Sequence, residues 1–416
     1  MSEIRLLSEA DADRWAEIST DAYPGFIHSP EEHERMRERL QAAVAQGPEH
    51  GWYGLYRDGA LLGGMRLYDF TMKLRSSEVP AGGIGSVAVD YLHRKERVAL
   101  ELVLFALRHL REQGAGPVLL YPFRLDFYHS MGFGFGTKMR QYRLRPEALP
   151  DGGNRSGVRA LTTDDVPAML DCYHRYLEAT NGLLRRAEPD VERLLGRPGN
   201  RVVGCWTGGR LDGYVVLEVK STSPANVLLA ELQVRELVYL TPDALSQLLT
   251  FLRTQGDQVQ QIVFNTQDEY FHYLFGDPRD DRQHLLPSVY HETNTSGLGI
   301  MYRVMDIPGT LERLGEHEFG PEMCRLRLSV EDSLMPENAA EIILHFADGM
   351  VQVVPEGDYD VEASMDIATF SSLLVGSVNF RSLYNYGLAR VSEPRFVSVL
   401  ERVFAVDQKP FCLTPF

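Results

Sequence analysis

Cysteine is scarce in this chain. Its 416 residues hold four, Cys172, Cys205, Cys324 and Cys412. They are scattered without metal-type spacing, so reduced cytosolic thiols are the reading rather than a metal site or a disulfide framework. Long apolar runs are missing too. None reaches membrane-spanning length, and the opening Met-Ser-Glu-Ile-Arg is not a secretory signal. A cytoplasmic protein with no membrane partner is expected. Positive charge is in deficit, with 42 Lys and Arg against 58 Asp and Glu and a formal net charge of −16. That balance argues against nucleic-acid binding, which wants a basic surface. An acidic surface is compatible with amine substrates, although acidic proteins are common. What remains is a globular composition, 44% apolar and 24% charged, at a length that calls for two or three domains.

Against this background one segment is locally basic. An apolar strand, Ile84 to Val89, runs into His93, Arg94, Lys95 and Arg97, and a long apolar helix follows. Cations are disfavoured at a helix start, where the macrodipole is already positive and unpaired N–H groups point outward. Their presence makes electrostatic sense if an anion such as phosphate occupies the site. Glu96 offsets part of the charge, so the turn alone leaves an unliganded surface loop open as a second reading. A second strand, Val118 to Tyr121, and the segment Phe127-Tyr128-His129-Ser130-Met131-Gly132-Phe133-Gly134 complete the unit.

The order of elements repeats. Ile4 to Leu7 reads as a strand leading into a capped helix, and a second helix is expected over Pro30 to Gln46. Trp52 to Arg57 and Ala60 to Tyr68 form a hairpin about Asp58-Gly59. After a linker of prolines and glycines, Pro146 to Gly157, the pattern returns. Val158 to Leu161, the hairpin about Gly208-Gly209, the strand Arg235 to Leu240 and the helix Pro242 to Gln255 echo the first half. The second turn, Thr241-Pro242-Asp243, caps a helix and offers no cationic cradle, which makes the second copy structural. A third segment starts near Met301, with a strand at Met301 to Val304, a helix from Ile307 and a strand at Cys324 to Val330. A hairpin over Ile342 to Val354 and an apolar helix over Met365 to Val375 follow. The sequence ends on an apolar Phe411-Cys412-Leu413-Thr414-Pro415-Phe416, which invites packing.

Strand, basic turn, helix, diverging strand and downstream tyrosine together resemble the GNAT acyl-CoA N-acyltransferase superfamily. The full length resembles its three-domain Eis-like (enhanced intracellular survival) branch. The carriers are Val87-Ala88-Val89, the turn from His93 to Ala99, Phe127-Tyr128 with Met131-Gly132-Phe133-Gly134, Arg235-Glu236-Leu237, Tyr302-Arg303-Val304-Met305-Asp306, the Ile367 to Leu374 helix and the apolar terminus. The resemblance implies an α/β fold of tandem GNAT-like units with mixed sheets and a C-terminal sterol-carrier-protein-like α+β domain. The expected divisions are 1–150 for the catalytic unit, 151–300 for a non-catalytic one and 301–416 for the C-terminal domain.

By the same resemblance, the backbone of Val87, Ala88 and Val89 pairs with the pantetheine arm of acetyl-CoA. The turn through Arg94, Lys95, Glu96, Arg97, Val98, Ala99 and Leu100 holds its pyrophosphate, with Phe123 and Arg124 nearby. Tyr128 protonates the leaving thiolate, and the carboxylate of Phe416 takes the amine proton. No metal is implied. A small-molecule or peptide amine is the acceptor, and a homo-oligomer, often a hexamer, is the assembly. Two departures from the family pattern stand out. Arg97 occupies a position where relatives carry glycine; helical angles remain open to it, and so does a salt bridge to phosphate. Phe123-Arg124 replaces a polar pair, and Arg124 either binds phosphate or pairs with Asp126.

Each assignment has a plainer rival. Tyr128 in its aromatic run also reads as a half-buried packing residue. A phenol near pKa ~10 is matched to a thiolate leaving group near ~8.5, so a donor role is chemically sound. A terminal carboxylate near ~3.5 is a weak base and needs desolvation or a water relay, and an inert packed tail is its rival. His129 points about 100° away from Tyr128 on a helix, and His93 supports the turn. Tyr23, Phe26 and Trp52 are candidates for gripping the amine, with core packing as the equal alternative. Attack is expected to be direct, because no cysteine lies in the motif region. A CoA- or lipid-binding protein on the same fold, or a transferase for another acyl-CoA, are the competing functions.

Overall fold

A computed structural model of the chain describes residues 2–23, 29–45, 51–223, 225–226, 229–315, 317–354 and 356–416, with the side chain of His33 left out. The expected aromatic Phe26 and the end of the second helix at Gln46 lie outside the described residues.

The first sheet takes its strands from β1 (Ser2–Leu6), β2 (Trp52–Arg57), β3 (Ala60–Leu74), β4 (Ser77–Val89), β5 (Pro117–Leu120) and β6 (Gly134–Phe135). The β2–β3 hairpin turns on Asp58 (φ 51°) and Gly59 (φ 79°), the left-handed pair that matches strand twist. α1 (Ala12–Ala22) and α2 (Pro30–Ala45) pack on one another and on the β3–β4 ribbon through Trp15, Leu40 and Val44. α3 (Val98–Glu112) buries Val98, Leu102, Val103, Ala106, Leu107 and Leu110, a three-and-four-residue spacing that keeps one helical face on the sheet. α4 (Leu125–His129) is a single short turn that carries Tyr128.

The second sheet opens with β7 (Met139–Leu144), followed by β8 (Val158–Ala160), β9 (Asn200–Thr207), β10 (Arg210–Ser221), β11 (Ala230–Tyr239) and β12 (Gln261–Thr266). Its helices are α5 (Val166–Glu178), α6 (Glu188–Gly196) and α7 (Pro242–Arg253). A ribbon of β13 (Leu285–Leu286) with β14 (Tyr290–His291) precedes β15 (Thr295–Gly297), which joins the second sheet beside β7. β16 (Met301–Val304), read in sequence as the start of the third segment, instead crosses back into the first sheet. It fills the place between β5 and β6, pairing Met301 with both Leu120 and Phe135. The two units therefore exchange interior strands, β7 going forward to lie between β15 and β12 and β16 returning to lie between β5 and β6.

The third sheet, in the order β19-β18-β17-β20-β21, comprises β17 (Cys324–Glu331), β18 (Ala340–Ala347), β19 (Met350–Val354), β20 (Val361–Asp366) and β21 (Arg390–Val391). α8 (Ile307–Glu312), α9 (Ile367–Leu374), α10 (Phe380–Asn385) and α11 (Val397–Val403) accompany it. Phe319, Phe346, Phe380 and Phe404 fill its interior, with ring centroids from 5.4 to 6.2 Å apart. Arg75, at the tip of the β3–β4 ribbon, ties the three parts together. Its buried guanidinium donates to the carbonyls of Leu374, Phe404 and Ala405, each at 3.0 Å, and its backbone N–H reaches Asn181. Among the described residues no helix is long and apolar enough to cross a membrane.

Candidate active site

β4 and β5 run parallel from Gly82↔Val118 to Ile84↔Leu120 and then part. β4 continues to Val89 while β5 stops, which opens a V in the sheet. The register between β3 and β4 also shifts between Gly64 and Arg66, and Ser86 sits at this bulge with φ 51°. A bulge bends and re-aims the strand that carries it, here turning Val87 and Val89 toward a cleft of about 470 Å³. Ala88 faces the other way, into the α1–α2 core. The Val87 carbonyl already accepts a hydrogen bond from Tyr23 Oη at 2.7 Å, so a ligand bonding there displaces or joins that phenol.

The floor of the cleft is the basic turn. Asp90 starts it, accepting from Leu92 N at 2.9 Å and pairing with Arg14 of α1. Lys95 and Arg97 both lie in left-handed backbone, at φ 69° and 66°. Helical angles, open to Arg97 from its sequence, are not the ones it takes; it is the residue before α3, at ψ 9°. The turn needs a positive φ here to bring the chain into the helix. With Arg97 outside the helix, the amides of Val98, Ala99 and Leu100 precede Glu101, whose N–H is the first to close a helical bond, to Arg97 O at 2.9 Å. Such amides form an anion site. Arg94, Lys95 and Ala99 line the cleft, while Val98 is buried and Leu100 packs on the core. Glu96 is drawn away from the anion position, bonding Arg57 and His93, each at 3.2 Å, and Arg57 also holds Glu101 at 2.7 Å.

Left-handed backbone strains a side-chain-bearing residue by about 1 kcal/mol or more. Arg97→Gly and Arg97→Ala lose the same charge but differ in that strain. The glycine variant should therefore unfold at higher denaturant than the alanine variant, by about 1 kcal/mol. Equal midpoints would show that Arg97 is not held left-handed.

Phe123, Arg124, Phe127 and Tyr128 form the opposite wall. Phe123 is 74% exposed and meets Tyr23 edge-on at 6.0 Å. The Arg124 guanidinium pairs with Asp126, the second of its two sequence readings. Tyr128 is only 7% exposed, packed against Phe127 and Phe133. Burial, with Tyr23 adding to it, holds its phenol well above the ordinary value, so it stays protonated and able to donate. His129 bonds the Phe133 carbonyl at 3.1 Å and stacks on Phe135. Gly132 and Gly134 are needed where Arg303 and the backbone of α9 press close, leaving no room for a Cβ. Trp52 is buried against Trp15 at 5.8 Å and belongs to the core.

The tail reaches this unit by a fixed path. Phe411 N donates to Asn181 O at 2.8 Å, and Cys412 N to Gln267 Oε1 at 2.6 Å. The Leu413 carbonyl accepts from Arg186 at 3.2 Å and that of Thr414 from Tyr121 Oη at 3.3 Å. The Phe416 ring then sits among Tyr68, Phe70 and Tyr121, at centroid distances of 5.5, 5.1 and 5.2 Å. Its main-chain carbonyl carbon lies 3.4 Å from where a Cβ on Gly85 would stand. Gly85 is two residues before Val87 on the strand that forms the cleft. Tyr68, Tyr121 and Gly85 were not singled out from sequence; the apolar character of the tail and the family resemblance pointed this way.

The second unit repeats the V. β11 and β12 part after Val234↔Phe264, but Phe411 and Leu413 of the tail occupy the opening and leave only about 50 Å³. Thr241 caps α7 by accepting from Ala244 N at 3.1 Å, as its sequence indicates. Within the gap, Glu236 is held by Arg186 at 2.7 and 2.8 Å and by Tyr214. Among the described residues no group of three His, Cys, Asp or Glu is placed to hold a metal ion.

Comparison with known proteins agrees with this fold. Residues 3–136 and 182–304 each match an acetyltransferase (GNAT) domain, and residues 309–413 match a sterol carrier protein domain. No curated protein matches the sequence. Among solved structures, a GCN5-related N-acetyltransferase from Kribbella flavida shares 19% identity over 100% of this chain and 98% of its own, with a TM-score of 0.81. One from Anabaena variabilis shares 18% over 100% of both chains, with a TM-score of 0.81. Eis1 from Mycobacterium abscessus shares 20% over 100% of both, at 0.76.

Proposed function

We propose that this chain, a three-domain GNAT acyltransferase of the Eis-like form, moves an acetyl group from acetyl-CoA to a primary amine by direct attack. The observation that carries the reading is the V between β4 and β5, closed below by the α3 amides with Arg94 and Lys95. In this reading the turn from Arg94 to Leu100 holds the pyrophosphate, with Phe123 and Arg124 flanking it, and the backbone of Val87 to Val89 lies along the pantetheine arm. Tyr128 gives its proton to the departing thiolate. The Phe416 carboxylate takes the proton lost by the amine, directly or through one water. The catalytic unit is 1–150 with β16 completing its sheet. The unit 151–300 is non-catalytic because its own V is filled by the tail. The domain 301–416 positions Phe416, and its aromatic interior favours this role over lipid carriage.

The enzyme works in the cytoplasm, where its four buried cysteines stay as free thiols. It assembles as a homo-oligomer, and the exposed Leu285, Leu286, Val289 and Tyr290 supply apolar surface suited to self-association.

Thiol release from acetyl-CoA against a panel of amines tests the reading, with calorimetry of CoA binding alongside. Lys95→Ala with Arg97→Ala should weaken CoA binding by about 1–3 kcal/mol, the range of charge-assisted contacts, and leave the fold intact because both side chains are exposed. Unchanged affinity would remove the turn from the site, and a wild-type protein that neither binds CoA nor releases thiol would remove the function.

A further inference from the structure

A second cleft, of about 670 Å³, shares no residue with the first and runs along Thr414 and Pro415 of the tail. Its walls carry the exposed guanidiniums of Arg39 on α2 and of Arg193 and Arg197 at the end of α6. Against them, among the described residues lining the cleft, stands one side-chain carboxylate, Asp190, which Arg193 meets at 3.3 Å. Arg186 also lines the space, but its charge is matched by Glu236. The cationic field extends to the last residue. Tyr68, whose ring touches that of Phe416, has Arg66 over its face at 4.5 Å. Burial raises the Tyr68 phenol, while Arg66, Arg193 and Arg39 pull it the other way. A chain with a formal charge of −16 has therefore gathered like cations beside the proposed base.

Such a cleft repels a polyamine or any other polycation. It favours an amine in its neutral, nucleophilic form, and it attracts a molecule whose own anion answers the guanidiniums. Resting on the acetyl-transfer reading above, we infer that the acceptor carries an anionic group, a carboxylate or a phosphate, beside its primary amine. Arg39, Arg193 and Arg197 hold that group while the amine points along the tail toward Phe416. Planar forked donors suit both oxyanions.

The test compares γ-aminobutyrate, butylamine and putrescine, which share one carbon skeleton, and phosphoethanolamine with ethanolamine. The anionic member of each set should exceed its counterparts in kcat/KM by about tenfold or more, as charge-assisted contacts allow. The preference should shrink with added salt and collapse toward unity in Arg193→Ala with Arg197→Ala. The larger of the two ratios tells carboxylate from phosphate. Calorimetry of γ-aminobutyrate and phosphoethanolamine on CoA-saturated protein reads occupancy without turnover. Acetylation that prefers putrescine, or a ratio untouched by the double variant, overturns the inference and leaves the transferase standing. An anionic amine that binds through the arginines but is not acetylated keeps the inference and removes the transfer reading. No binding of either anionic probe together with no turnover of any amine in the panel overturns both.

Discussion

A short polar tag fused after Phe416 should stop acetyl transfer while CoA still binds. The tail is fastened at four successive residues, Phe411 to Thr414, so the end group cannot retreat far. The Phe416 ring is enclosed by three aromatic rings, and its carbonyl carbon lies against Gly85. Extension turns the carboxylate into a neutral amide and forces new chain through this crowded corner. If that carboxylate receives the amine proton, turnover falls by about 10²–10⁴-fold, the contribution of a positioned general base. CoA affinity should hold, because the anion turn lies elsewhere. A tag before Ser2, an exposed strand end, should leave turnover alone. Phe416→Leu, which keeps a terminal carboxylate in an apolar side chain's place, separates loss of charge from loss of packing and should retain most activity. Equal turnover of the two tagged forms would rule the terminus out and leave a pocket carboxylate or water as the base.

The second large effect is expected from Tyr128→Phe. The ring contacts to Phe127 and Phe133 survive the change, so stability should shift by less than about 1 kcal/mol, as for other shape-conserving substitutions. Turnover should drop by about 10²-fold, or about 2.7 kcal/mol in the barrier. Burial keeps the phenol protonated but also makes it a weaker acid, so its expected contribution is a hydrogen bond that strengthens as charge builds on the thiolate, with proton transfer following. A slowing in kcat with unchanged CoA affinity fits a proton donor. Near-normal turnover would mean that Tyr128 only packs.

How much of this was legible in the sequence differs from residue to residue. The hairpin at Asp58-Gly59, the α3 face and the Thr241 cap follow from local rules, because turn chemistry and helical spacing act over a few residues. The position of the basic turn was legible for the same reason, with Arg94 and Lys95 ahead of the α3 start. The backbone state of Arg97 was not, since left-handed geometry at a residue with a side chain is imposed by the surrounding loop. The partners of the tail were hidden as well. Tyr121, Arg186 and Gln267 are distant in sequence, and only the folded sheets bring them to one path. The same holds for Arg39 and Arg193, which lie on helices of different units and meet across a cleft. Sequence order likewise assigned β16 to the third segment, because pairing with β5 and β6 is decided by space left in the first sheet.

That exchange of β7 and β16 has a consequence for how the chain reaches its native state. The first sheet cannot close when its own residues have left the ribosome, because the strand between β5 and β6 arrives only after the whole second unit has been made. Until then β5 and β6 present unpaired edges, the kind of surface on which chains mispair and aggregate. Closing the sheet means joining segments with very large sequence separation, which slows folding. The interlock also works in reverse. Once β16 is seated, neither unit can open its sheet without disturbing the other, so local unfolding of the cleft is coupled to both halves.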